Sequence, residues 1–598
     1  TEEIKKALRH NLCRCTGYVK VIDAVKLAGR FIRGEISPEE VRPDPDGPKL
    51  GVSHPRPSAL AKACGTAQFT ADIIVPGALE LATVRSPHPH ALIKKIDFSA
   101  ASKMPGVIGV MTAKDIKGTN RLKVILADRP VICEDKVRYI GDPVAVVAAL
   151  TREQALAAAE AVEVEYELLP VLNSPHEALA EGAIQVHDNL PNLCHTQRQI
   201  KGNAEKALAE SAAVVEGRFI TQINHQAPLE PEACVAYFEG EGEDAQLVVI
   251  GRSIDIHQHL AMLQEALGWE NMRYLEAYSG GQFGIKADIT SEGIAAAAAL
   301  HFKRPVRYIP SLTDSLLMTP KRHPFDMKVA LGADNEGHLT AFNIDITVDN
   351  GAYTSIGHIV VDRAFLMLSG SYNIPNVHAL GRLVYTNNPW GSAARGAGPP
   401  QVHFALECAV NMLADKMKID PLEFRLLNSL KPGQTKSTGS VVEQWPFPEL
   451  CEAIRPYYER SRREAREHQS AILRRGIGLA AGAFGIGGPN DQAIAAVELD
   501  PDGGVTIYAA AADPGEGNDS MFTQLAADIM GLPLNKIRLS TRDTEQTTST
   551  GPAAASRITY MVGGAVENAL GKLKQAMQET GAKTRQELEQ AGRPVRYI

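Results

Sequence analysis

"SGGQFGIK", residues 279–286, sets Gly280, Gly281 and Gly284 around one aromatic, Phe283, between a strand pattern and a helix pattern. Glycines in such a turn free backbone N–H groups to approach an anionic or oxo ligand, and a helix N-terminus behind them favours negative charge. A glycine-rich turn packed for structural reasons gives the same residues. The stretch gains meaning from its companions.

Three further segments break the rules of ordinary strands and helices. "NNPWGSAARGAGPPQVHFALE", residues 387–407, places Arg395 among small residues ahead of a helix. A guanidinium so placed can point into a cavity and grip phosphate or carboxylate with two N–H groups, or bind loop carbonyls. "ADPGEGNDSMFTQLAADIMG", residues 512–531, is a Gly-x-Gly turn entering a helix. "TSTGPAAASRITYMVGGA", residues 548–565, has a run of small residues against which a flat ligand could lie. With neither a Walker lysine motif nor a Rossmann G-x-G-x-x-G, four such loops suggest a large cofactor held mainly by backbone amides.

The 598 residues exceed what one hydrophobic core supports, so several domains are expected. Composition is that of soluble α/β protein, 44% hydrophobic and 22% charged, and 50 Gly with 36 Pro imply many turns. A formal charge of −8 favours neither nucleic acid nor an anionic membrane as partner and leaves small substrates. No apolar run approaches a membrane span, and the first residues lack the pattern of a signal peptide, so the expected compartment is cytoplasmic. Eight cysteines, mostly isolated, read as reduced. Cys13 and Cys15, in "HNLCRCTGY", occupy a tight connection between two helical patterns, with Gly17 at the turn; C-x-C alone satisfies neither a zinc site nor a redox dithiol. His257 and His259 would share a strand face as a hydrogen-bonded pair, and no histidine is assigned to a metal.

The pattern divides the chain into a small helical piece at 1–34, a Pro- and Gly-rich linker at 35–57, an α/β unit at 58–185, a larger unit at 186–430 and another at 431–598. "VRYIGDPVAVVAAL" reads as a buried strand, "SEGIAAAAALHF" as a helix and "AIAAVELDPDGGVTIYAAA" as a hairpin about Asp-Gly-Gly. The hexapeptide "RPVRYI" occurs at 304–309 and again at 593–598, taken as coincidence.

Together the segments resemble the molybdenum hydroxylase, or xanthine oxidase, family over nearly the whole chain. "LRHNLCRCTGY" looks like the last half of its helical [2Fe-2S] domain. "SGGQFGIK" matches its G-G-x-F-G segment, "ARGAGPPQVHFALE" its R-G-x-G-x-x-Q segment and "GPAAASR" a late cofactor loop. "HQAPLEPEACVA" and "KRHPFDMKVALGADNEGHLTAFNIDITVDNGAY" are similar to others. The resemblance implies a multidomain α+β fold: a remnant of a [2Fe-2S] domain, an α/β hammerhead-like domain, and two elongated mixed α/β molybdenum-cofactor domains, the second incomplete. The short linker has no room for a flavin domain, so no FAD is expected, as in flavin-free bacterial aldehyde oxidoreductases.

The implied cofactors are molybdopterin cytosine dinucleotide with Mo and a [2Fe-2S] cluster, two of whose four ligands, Cys13 and Cys15, are present. Phe283 and Gly284 would approach the metal's apical side and Arg395 the inner edge of the site. Cofactor contacts would come from Gly281, Gln282, Phe283, Gly284, Arg395, Gly515, Glu516, Gly517, Ala553, Ala555 and Ser556, largely through the backbone. Aldehydes would be hydroxylated to carboxylic acids with water as oxygen source, electrons leaving through [2Fe-2S] clusters to a protein such as flavodoxin or ferredoxin, in a homodimer. N-heterocycle or purine hydroxylation, or a non-catalytic cofactor-binding scaffold, are the alternatives.

The departures are specific. Glu516 stands where relatives often carry Gln, and beside an anionic dithiolene it would need a proton or an outward rotamer. Ala394 and Ala397 are small where relatives are often aromatic, implying a wider substrate funnel. The first C-x-x-C and the G-x-G-E segment with the general-base glutamate do not occur, so the chain is expected to be truncated at both ends and inactive alone.

Overall fold

Pro143–Ala149, PVAVVAA, is apolar throughout, and Val144 to Ala149 are fully buried, as a strand covered on both faces requires. It pairs antiparallel with Leu79–Arg85 on one side and Val107–Met111 on the other. Leu79–Arg85 also pairs parallel with Val306–Tyr308. Through that pairing the sheet continues into Cys234–Glu239, Gln246–Gly251 and Met272–Glu276, making seven strands from two distant parts of the chain. The computed structural model describes residues 1–14, 16–44, 47–488 and 491–598, and of residue 243 the backbone alone.

Helix Ser291–Phe302, SEGIAAAAALHF, buries every residue from Ser291 to Ala299, so it sits inside the protein with alanines allowing close approach to the sheet. A smaller sheet of Lys136–Val137, Ala91–Asp97 and Glu163–Leu168 completes the N-terminal α/β unit. Helix Arg152–Glu160 begins in a capping box made by Thr151 and Gln154.

A five-stranded sheet runs in the order Ala213–Ile220, Phe325–Ala333, Leu339–Gly351, Asn376–Tyr385, Leu193–Lys201. Its core packs Phe342, Ile344 and Ile346 with Val361 and Phe365 of helix Gly357–Leu366 and with Val402, Leu406 and Leu413 of helix Pro399–Met417. A four-stranded sheet (Ile537–Ser540, Val505–Tyr508, Ala496–Leu499, Arg596–Tyr597) carries helices Asn518–Met530 and Gly563–Thr580. The Asp-Gly-Gly hairpin is as expected, with Asp500 N–H donating to Gly504 O at 2.8 Å. The two copies of "RPVRYI" each contain a short strand, but Val306 and Tyr308 are buried mid-sheet while Arg596–Tyr597 is a short edge strand.

At the N-terminus, helices Glu2–Leu8 and Val19–Ile32 flank the cysteine pair, and Gly17 turns the chain at φ 61°. No helix of the described residues is long and apolar enough to cross a membrane.

Two expectations fail. His257 and His259 lie in helix Ile256–Leu267, not on a strand. There His257 meets the Thr547 hydroxyl and His259 the Ala287 carbonyl, in separate surroundings. Asp255 caps that helix by accepting from Gln258 N–H, a start signal that outweighs the apolar run before it. "VRYIGDPVAVVAAL" is also not one strand. Gly141, at φ 112°, and Asp142, whose Oδ2 accepts from Arg138 N–H at 2.6 Å, turn the chain between two strands.

Asp142, 1% exposed, also accepts from the Tyr353 hydroxyl at 2.9 Å, tying the N-terminal α/β unit to the five-stranded unit. Burial raises its carboxyl from 3.8 to about 6 against the pull of those hydrogen bonds. The folded protein therefore holds this proton more tightly than the unfolded chain does. Stability relative to Asp142→Asn should fall as pH rises from about 4 through about 6, by up to about 3 kcal/mol. Urea unfolding across that range checks it, and parallel pH profiles for the two proteins would refute it.

Candidate cofactor site where four loops meet

The loop at 279–286 leaves strand Met272–Glu276 and ends in a single 3-10 turn, Ile285–Ala287. The next α-helix begins only at Ser291, so the expected helix N-terminus does not stand directly behind the glycines. Gly281, Phe283 and Gly284 all have left-handed backbone, at φ 100°, 50° and 103°. For phenylalanine that conformation is strained and must be imposed by neighbours. Its carbonyl accepts from Arg395 N–H at 2.9 Å, and a Cβ on Gly284 would lie 2.6 Å from Ala393 O.

Beneath this loop lies buried charge. Glu230 Oε2 accepts from Gly280 N–H at 2.8 Å and from Lys286 Nζ at 2.5 Å, and Lys286 also donates to Ser279 Oγ at 2.7 Å. Burial lowers the Lys286 ammonium to about 8, partly offset by Glu230. Arg252, 2% exposed, donates to Pro231 O and lies 3.5 Å from Glu232.

The second loop, around Arg395, is held along its length. Ser392 and Ser355 donate to the two oxygens of buried Asp288 at 2.5 and 2.6 Å. Gln226 Nε2 donates to Ala393 O at 2.6 Å, and Arg322 to Arg395 O at 2.8 Å. A Cβ on Gly398 would meet Val360 O at 2.4 Å. Arg395 itself is exposed.

In the third loop Asp513 Oδ1 accepts from Gly515 and Gly517 N–H, both at 3.0 Å, and Oδ2 from Asp519 N–H, folding the Gly-x-Gly turn onto helix Asn518–Met530. Glu516 reaches solvent and accepts from Asn518 Nδ2 at 2.8 Å. Its carboxyl is raised by desolvation and by Asp513, with Asn518 and Arg395 opposing, so Glu516 and Arg395 feel one another across the gap.

The fourth loop joins through Gln282, whose Nε2 donates to Ala553 O at 3.3 Å, and through Ala553 N–H, which donates to Ile254 O at 2.7 Å. Ala555 and Ser556 have φ of 52° and 56°. Arg557, 1% exposed, fixes the loop from below by donating to Thr550 O and to Asp491, just before a π-helical turn at Ile558–Val562.

The loops at Phe283, Arg395, Gly515–Gly517 and Ala553–Ser556 thus converge. The cysteine loop reaches them as well: the Arg14 guanidinium is 5.6 Å from the Phe283 ring centroid and donates to Gln226 O. Cys13 is half-buried with Sγ 3.0 Å from Thr16 Oγ1, while Cys15 lies outside the described residues. Sequence reasoning missed Gln226, Glu230, Lys286, Asp288 and Asp513. Their one signal was a charged or amide side chain set among apolar or glycine neighbours.

The set suits a large, flat group that brings N–H donors of its own. Gln282 Oε1 and Gln226 Oε1 are buried without hydrogen-bond partners among the described residues, and a cavity of about 1000 Å³ opens beside the first and third loops.

Residues 186–429 and 452–595 each match a molybdopterin cofactor-binding domain, and residues 64–170 match the a/b hammerhead domain of aldehyde oxidase and xanthine dehydrogenase. The chain is 37% identical to an aldehyde oxidoreductase of Megalodesulfovibrio gigas over 98% of its own length and 67% of the relative's. The large molybdopterin subunit of a nicotinate dehydrogenase from Eubacterium barkeri is 35% identical over 66% of this chain and 92% of its own. The solved aldehyde oxidoreductase from Desulfovibrio gigas superposes with a TM-score of 0.95 at 35% identity, covering 100% of this chain and 68% of that one. Quinoline 2-oxidoreductase from Pseudomonas putida 86 gives 0.81 at 25% identity, over 89% of this chain and 71% of that one. With a hammerhead domain and two cofactor-binding domains laid around these four loops, the chain belongs to the molybdenum hydroxylase (xanthine oxidase) family.

Proposed function

We propose that the chain holds a molybdopterin cytosine dinucleotide carrying Mo across the four loops and serves the oxidation of an aldehyde to a carboxylic acid with water as the oxygen source. The observation that supports this best is the convergence itself: four loops of small residues, three of them with non-glycine residues in left-handed or tightly approached backbone, with unpartnered amide oxygens facing them. The bound group would supply the two-electron redox centre that takes electrons from the substrate C–H bond.

The chain's residues position and shield. Phe283, held in a strained conformation by the Arg395 N–H, keeps water from one side. Lys286 and Glu230 fix the backbone on either flank of the glycines. Arg395, exposed and in the second loop, would offer a bidentate donor to the polar head of substrate or to product carboxylate. Cys13 and Cys15 would supply two thiolates to a [2Fe-2S] cluster, and the contact of Arg14 with Phe283 supports a cluster position near the redox centre. An electron-transfer protein such as flavodoxin or ferredoxin and a homodimeric assembly belong to the same reading. Hydroxylation of an N-heterocycle is the second reading, favoured by the likeness to quinoline 2-oxidoreductase.

Protein purified from a host that makes the cofactor should carry about one equivalent of pterin, read by fluorescence after oxidation, together with molybdenum by mass spectrometry. A pterin-free, molybdenum-free protein would overturn the proposal. Gln282→Leu should lower pterin content several-fold while leaving the thermal midpoint within a few degrees.

Glu516 yields a pH test. Its raised carboxyl is neutral at low pH and ionises as pH rises, so pterin retention during dialysis should fall from pH 5 to pH 8 in wild type and stay level in Glu516→Gln. Equal retention by both proteins across that range would show that Glu516 does not face the cofactor's charge.

A further inference from the structure

A second cavity, of about 30 Å³, lies at the seam where the N-terminal α/β unit meets the start of the buried helix Ser291–Phe302. Its walls include Arg85, Arg129, Tyr139 and Asp142 from the α/β unit and Thr290 and Ile294 from the helix start. Every residue from Ser291 to Ala299 is buried, and Thr290 stands at the N-cap without a side-chain hydrogen bond to the first turn. The positive end of an uncapped, buried helix thus borders the cavity. Two guanidiniums join it. Arg85, its side chain 7% exposed, donates through Nη1 to Gly141 O and through Nη2 to the Tyr308 hydroxyl, both at 2.9 Å. Its Nε is buried without a hydrogen-bond partner among the described residues, although Asp314 Oδ1 lies 3.4 Å away. Arg129 donates to Ile289 O at 2.7 Å and lies 4.3 Å over the Trp390 ring, whose own Nε1 is buried and unpartnered too. The nearby carboxylates are already engaged: Asp288, 4.0 Å from Arg129, accepts from Ser355 and Ser392, Asp314 from Ser311, and Asp142 from Arg138 N–H and the Tyr353 hydroxyl. Donors outnumber free acceptors on this wall, and a buried donor left unmet is a cost until an acceptor reaches it.

We propose that this cavity binds one small monovalent inorganic anion, a halide, between Arg85, Arg129 and the start of helix Ser291–Phe302. A single spherical acceptor can take the Arg85 Nε–H and the Thr290 hydroxyl together. The volume admits one such ion or one or two water molecules and excludes sulfate and phosphate. Water is the poorer occupant, because its own two protons need acceptors where the wall's oxygens are engaged. The carboxyl on the wall itself, Asp142, is raised to about 6 by burial, so it is neutral below that pH and repels an anion above it. Besides the two cavity guanidiniums, Arg138, Cys133, Tyr139 and Tyr353 face Asp142. Burial pushes the cysteine and both tyrosines up, so they stay neutral, and halide affinity falls as pH rises through about 6. The ion joins stretches of chain around residues 85, 129 and 290 that meet only in the folded state, so binding it stabilises the fold.

Crystals of the full chain grown at pH 5.5 in sodium bromide test this directly. Anomalous diffraction at the bromine edge should show one peak between Arg85 and Arg129, in contact with Thr290 Oγ1. In solution at pH 5.5 and fixed ionic strength, bromide in place of gluconate should raise the thermal midpoint by a few degrees along a saturating curve. The apparent bromide affinity from that curve should be at least threefold weaker at pH 7.5. Thr290→Val, which keeps the side chain's shape and removes its donor, should weaken the affinity at least threefold, and Arg129→Gln should abolish the saturating rise. Cavity density without anomalous signal, bromide at surface sites only, a bromide response that Thr290→Val leaves unchanged, or an affinity that grows toward pH 7.5 would each overturn the assignment. Should Arg129→Gln fail to fold, the wild-type anomalous map and Thr290→Val decide alone.

Discussion

The carbonyl of Ala393 lies where any side chain at Gly284 would have to go. A Cβ there would be 2.6 Å from the oxygen, so two loops more than a hundred residues apart meet only because one position carries hydrogen alone. That approach brings Phe283 O to the Arg395 N–H and forces Phe283 into left-handed backbone. Gln226 then seals the contact by donating to the same Ala393 carbonyl. The remaining loops add to this seam through Gln282 and through the electrostatic contact of Glu516 with Arg395.

Strain of this kind needs a rigid support, and the chain provides one in buried charge. Lys286, Glu230, Arg252 and Glu232 make a cluster whose net stabilisation is small, because each ion gives up hydration, but whose geometry is unforgiving of displacement. One Glu230 oxygen serves the backbone N–H of Gly280 and the ammonium of Lys286 together, so both ends of the glycine loop hang from a single atom.

Much of this was readable from residue order. Glycine spacing at 280–284, the small-residue run at 553–556 and the Gly-x-Gly at 515–517 announced backbone-lined loops, because few other residues tolerate such conformations. Periodicity found helices such as Ser291–Phe302 and the hairpin about Asp500–Gly504. It misplaced His257 and His259, where a capping Asp255 outweighed an apolar run, and it passed over the turn at Gly141–Asp142, which depends on a side-chain hydrogen bond. It could not see that the Arg395 backbone is held on both sides, by Arg322 and by the Phe283 carbonyl. Glu230, Lys286 and Asp288 were invisible because their meaning lies in partners distant along the chain.

The parallel pairing of Leu79–Arg85 with Val306–Tyr308 bears on how such proteins can diverge. The strand sits inside a sheet, with Pro143–Ala149 on its other side, so the N-terminal unit is sutured into its neighbour. Lifting that unit out, or grafting in another, would leave raw strand edges on both pieces, each ready to pair with foreign chains and aggregate. Recombination at the apparent domain boundary is thereby discouraged, and change in specificity is channelled into the loops.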